Sequence, residues 1–208
     1  MEQQFGFYFD NKRCTGCKTC VLACKDYHDL SVGVSFRKVV DYEGGSWSRT
    51  AEGALEQTCF SYHVSLSCCH CSSPACTKFC PTGAMHKGER GLVSVDTTRC
   101  IGCGYCTLVC PYHAPHINPD IKKSSKCDGC ASRLDEAQPP ICVAACPVRA
   151  LEFGPIAELR ETHGDLAAIA PLPDASYTSP NICIRPSPAA RPPMSPDGFV
   201  SNEAEIDQ

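Results

Sequence analysis

An α+β fold made of two similar modules, one inserted within the other and followed by an irregular proline-rich tail, is predicted by three observations. Nineteen of the 208 residues are cysteine, and sixteen of them fall into four quartets of related spacing. Segments flanking the quartets match one another in pairs, which is the mark of an internal repeat. From residue 166 onward prolines recur too closely for regular structure.

Hydrophobic residues make up 43% of the chain and charged residues 20%, an ordinary globular balance, so the cysteines are the anomaly. Such a density belongs to a small secreted disulfide scaffold or to a protein that uses thiolates as ligands. Thiols two residues apart on a tight loop cannot all satisfy the geometry of an S–S bridge, and an odd total weakens the disulfide option further. No apolar run approaches the roughly 18 residues that span a bilayer. The opening "MEQQFGFYFDNKRC" lacks a signal-peptide pattern. A formal charge of −4 with no clustered basic surface argues against nucleic acid as a partner.

The elements follow in chain order. Phe7 to Asp10 reads as a strand leading into group one, Cys14-x2-Cys17-x2-Cys20-x3-Cys24. Residues 36–67, containing the only Trp, Trp47, are an inserted region that is either an exposed docking loop or a packed hairpin. Group two is Cys68-x2-Cys71-x4-Cys76-x3-Cys80-Pro81, and after it "MHKGERGLVSVD" predicts a hairpin into group three, Cys100-x2-Cys103-x2-Cys106-x3-Cys110-Pro111. Group four, Cys127-x2-Cys130-x11-Cys142-x3-Cys146-Pro147, is the same pattern opened by an insertion. A short helix is predicted from Pro155 to Gly164.

Three thiols on a loop followed by x3-Cys-Pro is the bacterial ferredoxin run, in which the fourth cysteine serves a second cluster. A helix starting near the third cysteine explains the split, because four helical residues rise by about 6 Å and carry the last thiol to a neighbouring cubane. The partners follow from the repeat. "FGFYFDNKRCTGC" matches "LVSVDTTRCIGC" through Asp10/Asp96, Arg13/Arg99 and Gly16/Gly102, and "CPVRAL" matches "CPTGAM". Phe7 to Asp10 is therefore expected to pair with Leu151 to Phe153.

The fold class is thus α+β with two ferredoxin-like 2[4Fe-4S] modules. Residues 1–35 with 120–165 form the first, residues 68–119 the inserted second, and 166–208 the extended tail. Four [4Fe-4S] clusters are expected, held by Cys14, Cys17, Cys20 and Cys146; by Cys127, Cys130, Cys142 and Cys24; by Cys68, Cys71, Cys76 and Cys110; and by Cys100, Cys103, Cys106 and Cys80. Oxidised cubanes with four thiolates carry about −2 each, which would bring the total to about −12. Lys12, Arg13, Lys18, Lys25, Arg99, Lys122, Lys123 and Lys126 beside the thiols are either compensation or a solvated charge run.

Taken alone, group four could be a four-thiolate zinc site, whereas unbroken runs such as groups one and three are not zinc architecture. His70 could replace a thiol as in Rieske centres, but every quartet is already complete in sulfur. His28, His63, His86, His113, His116 and His163 show no metal spacing and read as surface or core residues. Cys59, Cys69 and Cys183 fit no quartet and are expected to be small buried apolar residues; Cys69 could compete with Cys68 as a ligand, but the x2 loop of every other group favours Cys68. No Ser-His-Asp pattern, phosphate loop or dinucleotide fingerprint is legible, so no catalytic residue is assigned.

Nearly end to end, from "YFDNKRCTGCKTCVLACKDY" through "CHCSSPACTKFCPTGAMHK" and "KCDGC" to "FGPIAELRETHGDLAAIAPLP", the sequence resembles the four-cluster iron-sulfur subunits of molybdopterin oxidoreductase complexes. The "FGPIAELR" segment narrows the resemblance to the iron-sulfur subunits of anaerobic dimethyl sulfoxide reductase. Nitrate reductase relatives carry Trp where this sequence has Cys103, so four cubanes are implied. The departures are Cys69, where an amide is more usual, and Cys183. The resemblance implies a non-catalytic relay from an integral membrane quinol-oxidising anchor subunit to a molybdopterin catalytic subunit within a heterotrimer. It also implies export with the catalytic partner and a place on the outer face of the membrane. A free polyferredoxin, or the equivalent subunit of a tetrathionate, polysulfide, thiosulfate or formate enzyme, is the alternative.

Overall fold

The computed structural model describes residues 3–206; residues 1–2 and 207–208, the outer ends of the first module and the tail, lie outside the described residues. The chain opens with β1 (Phe5–Asp10), α1 (Thr19–Tyr27) and β2 (Arg37–Gly44). A short hairpin, β3 (Trp47–Arg49) and β4 (Leu55–Gln57), leads back into β5 (Phe60–Ser67). The middle holds α2 (Ala75–Lys78), β6 (Met85–Lys87), β7 (Val93–Val95), α3 (Tyr105–Val109), β8 (His116–Asn118) and β9 (Lys123–Ser125). It is followed by α4 (Ala131–Asp135), α5 (Ile141–Ala144), β10 (Leu151–Pro155) and α6 (Ile156–His163). The last elements are β11 (Ile182–Arg185), β12 (Gly198–Val200) and α7 (Glu203–Ile206).

β1 is the centre of a three-stranded sheet ordered β10-β1-β11. Its antiparallel register with β10 sets Phe7 opposite Phe153 and Phe9 opposite Leu151. Because side chains alternate across a strand, Phe7 and Phe9 enter the main core with Leu151, Ile182 and Ile184, while Tyr8 turns to the other face against Ile156 and Cys183. The carboxylate of Asp10, itself buried, accepts the amides of Lys12 and Arg13 and turns the chain into group one. The hairpin β6/β7 enters group three in the same way, with Asp96 accepting the amides of Thr98 and Arg99. Even the bond behind the turn recurs: Asp10 N donates to Ala150 O and Asp96 N to Ala84 O, both at 2.8 Å. The matched residues of the two sequence halves thus perform one local task, which is to hand a strand end over to a thiol loop.

Residues 36–67 form a packed strand pair with a small exposed tip. β2 and β5 are antiparallel from Arg37↔Ser67 to Gly44↔Phe60, and their buried Val39, Val40, Tyr42, Tyr62, Val64 and Leu66 join the main apolar core. Only the β3/β4 tip is exposed, with Trp47 at 67% of its surface accessible.

The tail departs from the expectation of an irregular extension. Between Pro180 and Pro186 lies "NICIR", which adds β11 parallel to the open edge of β1, with Phe7 opposite Ile182 and Phe9 opposite Ile184. Prolines cannot donate within a ladder, but they lie outside these four residues and limit the strand instead of preventing it. Farther on, Gly198–Val200 pairs with β2, and Asn202 caps that edge by accepting from Asp41 N and donating to Val39 O. Cys59, expected to be buried, is exposed beside the tip, because the backbone there has left the β2/β5 core. The tail is therefore part of the fold, and Ile184→Ala, at a side chain with 1% exposure, is expected to cost about 2–5 kcal/mol. A lower urea midpoint in the iron-loaded protein checks this; an unchanged midpoint would show that β11 is dispensable.

Candidate iron-sulfur cluster sites

Each quartet is a loop that runs into a short helix. The loops of groups one and three turn at Gly16 and Gly102, both at positive φ (+67° and +72°). A Cβ at Gly102 would stand 2.1 Å from the carbonyl oxygen of Lys122, so no other residue fits there without displacing backbone. The third thiol of each group then sits on a helix: Cys20 on α1, Cys76 on α2, Cys106 on α3 and Cys142 on α5.

The folded protein gathers these thiols in a crossed fashion. One cavity is lined by Cys14, Cys17, Cys20 and Cys146, a second by Cys68, Cys71, Cys76 and Cys110, and a third by Cys80, Cys100, Cys103 and Cys106. The three are alike in size, with about 20 Å³ of free space in each. In each, the cysteine that precedes Pro147, Pro111 or Pro81 comes from a different group than the other three. The remaining quartet meets where α1 packs on α5, which brings Cys24 beside Cys142 and Cys130, with Cys127 close to Cys24 and Cys142. Cys69 and Cys183 are buried outside these sets, although Cys69 borders the Cys68 cavity.

The chemistry of these donor sets fits an iron-sulfur cubane. All nineteen cysteines are free thiols. Main-chain amides are aimed at sulfur: Ala150 N donates to Cys146 Sγ at 3.3 Å, Met85 N to Cys80 Sγ at 3.4 Å, Gly129 N to Cys127 Sγ at 3.4 Å, and Gly102 N and Ser124 N to Cys100 Sγ. Such donors stabilise negative charge on sulfur. Burial acts against it, pushing Cys14, Cys76 and Cys130 up to about 11 and Cys24 and Cys71 to about 12, with neighbouring thiolates adding to the effect. Four such thiols become thiolates together only around a cationic metal core. Cys17, at the exposed rim, is instead drawn below the ordinary thiol range by hydrogen bonds from Thr19.

Comparison with known proteins points to iron-sulfur chemistry as well. Residues 59–156 match a 4Fe-4S dicluster domain and residues 11–27 a 4Fe-4S binding domain. The iron-sulfur subunit of the anaerobic dimethyl sulfoxide reductase of Escherichia coli (strain K12) is 54% identical over 206 residues, 99% of this chain and all of the relative. The same subunit from Haemophilus influenzae is 52% identical over 204 residues, 98% of this chain and again all of the relative. This protein belongs to the family of iron-sulfur subunits of anaerobic dimethyl sulfoxide reductases. It is an electron-transfer subunit that binds [4Fe-4S] clusters. A more distant likeness, 40% over 159 residues, is to the thiosulfate reductase electron transfer subunit PhsB of Salmonella typhi, spanning 76% of this chain and 79% of that one.

In this reductase subunit the surroundings of the thiols include residues that no spacing rule could reveal. His70 is fully buried; its Nδ1 accepts the amide of Val93, which leaves the proton on Nε2, 4.0 Å from Cys127 Sγ. Burial, with Lys126 and Lys87 nearby, drives its pKa well below the usual histidine range and keeps it neutral. It therefore stands beside a thiol set with an N–H to offer and not as a ligand. His28 Nε2 lies 3.5 Å from Cys130 Sγ, with Asp128 near both, at the edge of the Cys24 set. The buried Lys126 ammonium donates to the carbonyl oxygens of Cys127, at 2.6 Å, and Val93. Thr178, from the tail, lines the Cys68 cavity, and Ser72 N and Ser73 N bind the carbonyls of Ser179 and Thr178. Arg37 is the other buried cation of this region.

The four sets are neighbours. Cys20, Cys142 and Cys146 share the main core with Cys71, Cys127 packs with Cys68 and Cys110, and Cys76 shares an apolar cluster with Cys80 and Cys106.

Proposed function

We propose that the protein is a non-catalytic relay that holds four [4Fe-4S] clusters in two ferredoxin-like modules, one closed through the N-terminal and post-middle segments and one inserted between them. The ligands would be Cys14, Cys17, Cys20 and Cys146; Cys24, Cys127, Cys130 and Cys142; Cys68, Cys71, Cys76 and Cys110; and Cys80, Cys100, Cys103 and Cys106. When bound, such clusters take up and release single electrons at potentials tuned by burial, charge and hydrogen bonds to sulfur. The observation that carries this reading is that the fold gathers four thiols at a time from crossed groups, with main-chain amides aimed at sulfur in three of the sets: at Cys146, at Cys127, and at both Cys80 and Cys100. The packing of Cys127 with Cys68 and Cys110, and of Cys76 with Cys80 and Cys106, supports electron passage from the Cys142 set through the Cys68 set to the Cys100 set, or the reverse.

The partners in this reading are a molybdopterin catalytic subunit, which reduces dimethyl sulfoxide and related S- and N-oxides, and an integral membrane subunit that oxidises quinol. No helix among the described residues is long and apolar enough to cross a membrane, so the association with the membrane would run through that anchor. Iron and acid-labile sulfide analysis of anaerobically purified protein is expected to return about sixteen of each per chain. Stoichiometric zinc, or about eight of each, would overturn the assignment. Co-purification with a molybdenum-containing subunit is expected as well; isolation as a lone carrier would indicate a free polyferredoxin.

A further inference from the structure

Arg37 opens β2 opposite Ser67, and its guanidinium lies inside the protein with 2% of the residue exposed. Nη1 donates to Ser65 Oγ at 3.0 Å and Nη2 to Ser67 Oγ at 2.9 Å, while the ring of Phe7 lies 4.7 Å from the guanidinium carbon. Ser65 and Ser67 are two apart on β5 and share a face, so together they hold the side chain in one orientation. Ser65 Oγ in turn is 3.4 Å from Cys20 Sγ. Nε has no hydrogen-bond partner among the described residues, and none of their carboxylates forms an ion pair with this arginine.

A guanidinium stays protonated in proteins, and burying a charge without a counter-ion costs several kcal/mol. A cation held by two neutral hydroxyls and an aromatic ring is therefore incomplete in the polypeptide alone. The anions within its reach are sulfur. Cys20 is linked to it through Ser65 Oγ, and the negative charge of Cys142, Cys20, Cys127 and Cys24 favours the charged guanidinium against its burial. They belong to two different sets, those of Cys14 and of Cys130. No sequence signal marks this residue, since Arg37, Val39 and Asp41 share one strand face without a pattern.

We propose that Arg37 is the buried counter-charge shared by the two clusters of the first module, and that it raises their reduction potentials by favouring the reduced, more negative state. This rests on the cluster reading above. It makes Arg37 a tuning residue and not a ligand: the clusters form without it, but at lower potential. Lys126 holds the comparable place beside Cys127, Cys76 and Cys110, so the potentials of the second module should respond less to Arg37 than those of the first.

The test is a redox titration followed by electron paramagnetic resonance on the intact, anaerobically purified complex. Signals of the two sets are assigned by their loss in Cys14→Ser and Cys130→Ser. Arg37→Met is expected to keep about sixteen iron per chain and to lower the midpoint of at least one of these two clusters by tenfold or more in the reduced-to-oxidised ratio, about 59 mV for one electron. Arg37→Lys, which keeps the charge, should recover most of that shift. Unchanged midpoints in Arg37→Met, equal shifts in the methionine and lysine variants, or equal shifts in all four clusters would overturn the proposal. If Arg37→Met fails to assemble, Arg37→Lys decides: full iron with near-native midpoints supports the counter-charge, and failure of both variants assigns Arg37 to packing. Iron well below sixteen in the unaltered protein would refute the cluster reading itself, before any variant is compared.

Discussion

Anaerobic removal of iron is expected to unfold this protein, with far-ultraviolet circular dichroism collapsing together with the visible cluster absorbance. The helices that carry the ligands are too short to persist alone: α2 and α5 have four residues each and α3 has five, whereas isolated helices below about 12–15 residues are marginal in water. The segment from α2 to α3 has little else to hold it. Its apolar cluster consists of Cys76, Met85 and Val93, with Cys80, Val95, Cys106 and Val109 around them, so three of its seven members are ligand candidates. A metal site that forms only in the folded state contributes its binding energy to folding, about 10–16 kcal/mol in the zinc-finger case, which equals or exceeds the whole stability of an ordinary domain at about 5–15 kcal/mol. The thiols left behind would be neutral, because burial holds Cys24 and Cys71 up to about 12. The β2/β5 pair with β12 is the part expected to retain residual structure, since its core of Val and Tyr side chains does not depend on sulfur. A fully retained spectrum after chelation would show that the clusters decorate a fold that stands without them.

Replacing Cys24 by Ser is expected to damage the cluster of Cys127, Cys130 and Cys142 and to leave that of Cys14, Cys17 and Cys20 untouched. Cys20 and Cys24 lie one turn apart on α1, about 6 Å along its axis, and both are buried. Cys20 lines the cavity that holds Cys146, while Cys24 faces α5 and Cys142. A hydroxyl is a poorer iron ligand than a thiolate, so the expected result is an altered or missing resonance from one cluster, a fall of between about one and four iron per chain, and a normal midpoint for its neighbour. Loss of the Cys14 signal alone would refute the crossed pairing and would return Cys24 to its own group.

How much of this could be read without a structure depends on the distance between the parts. The quartets are local, because a thiol loop, a Gly at positive φ and the start of a helix all lie within eleven residues of Cys14 and of Cys100. The β1/β10 pairing spans about 150 residues and was still legible, since Asp10 and Ala150 repeat the roles of Asp96 and Ala84 with the same hydrogen bond. β11 carried no comparable sign. Its four residues are framed by prolines, and its partner strand is about 175 residues away, so only the open edge of β1 makes "ICIR" a strand. His70 could be set aside as a ligand by counting sulfur, but its bond to Val93 and its approach to Cys127 could not be foreseen.

By itself the amino-acid order determined the family, the kind of cofactor and the matched halves, because a cubane demands thiols at fixed short intervals and a repeated module must repeat its turns. Tertiary structure alone decided what surrounds those thiols: a tail drawn into the sheet, a neutral histidine against Cys127, and a buried arginine held by Ser65 and Ser67. Charge acts through space and across a low-dielectric interior, so the residues that set the energy of an electron here are chosen by proximity, and proximity is not written in spacing.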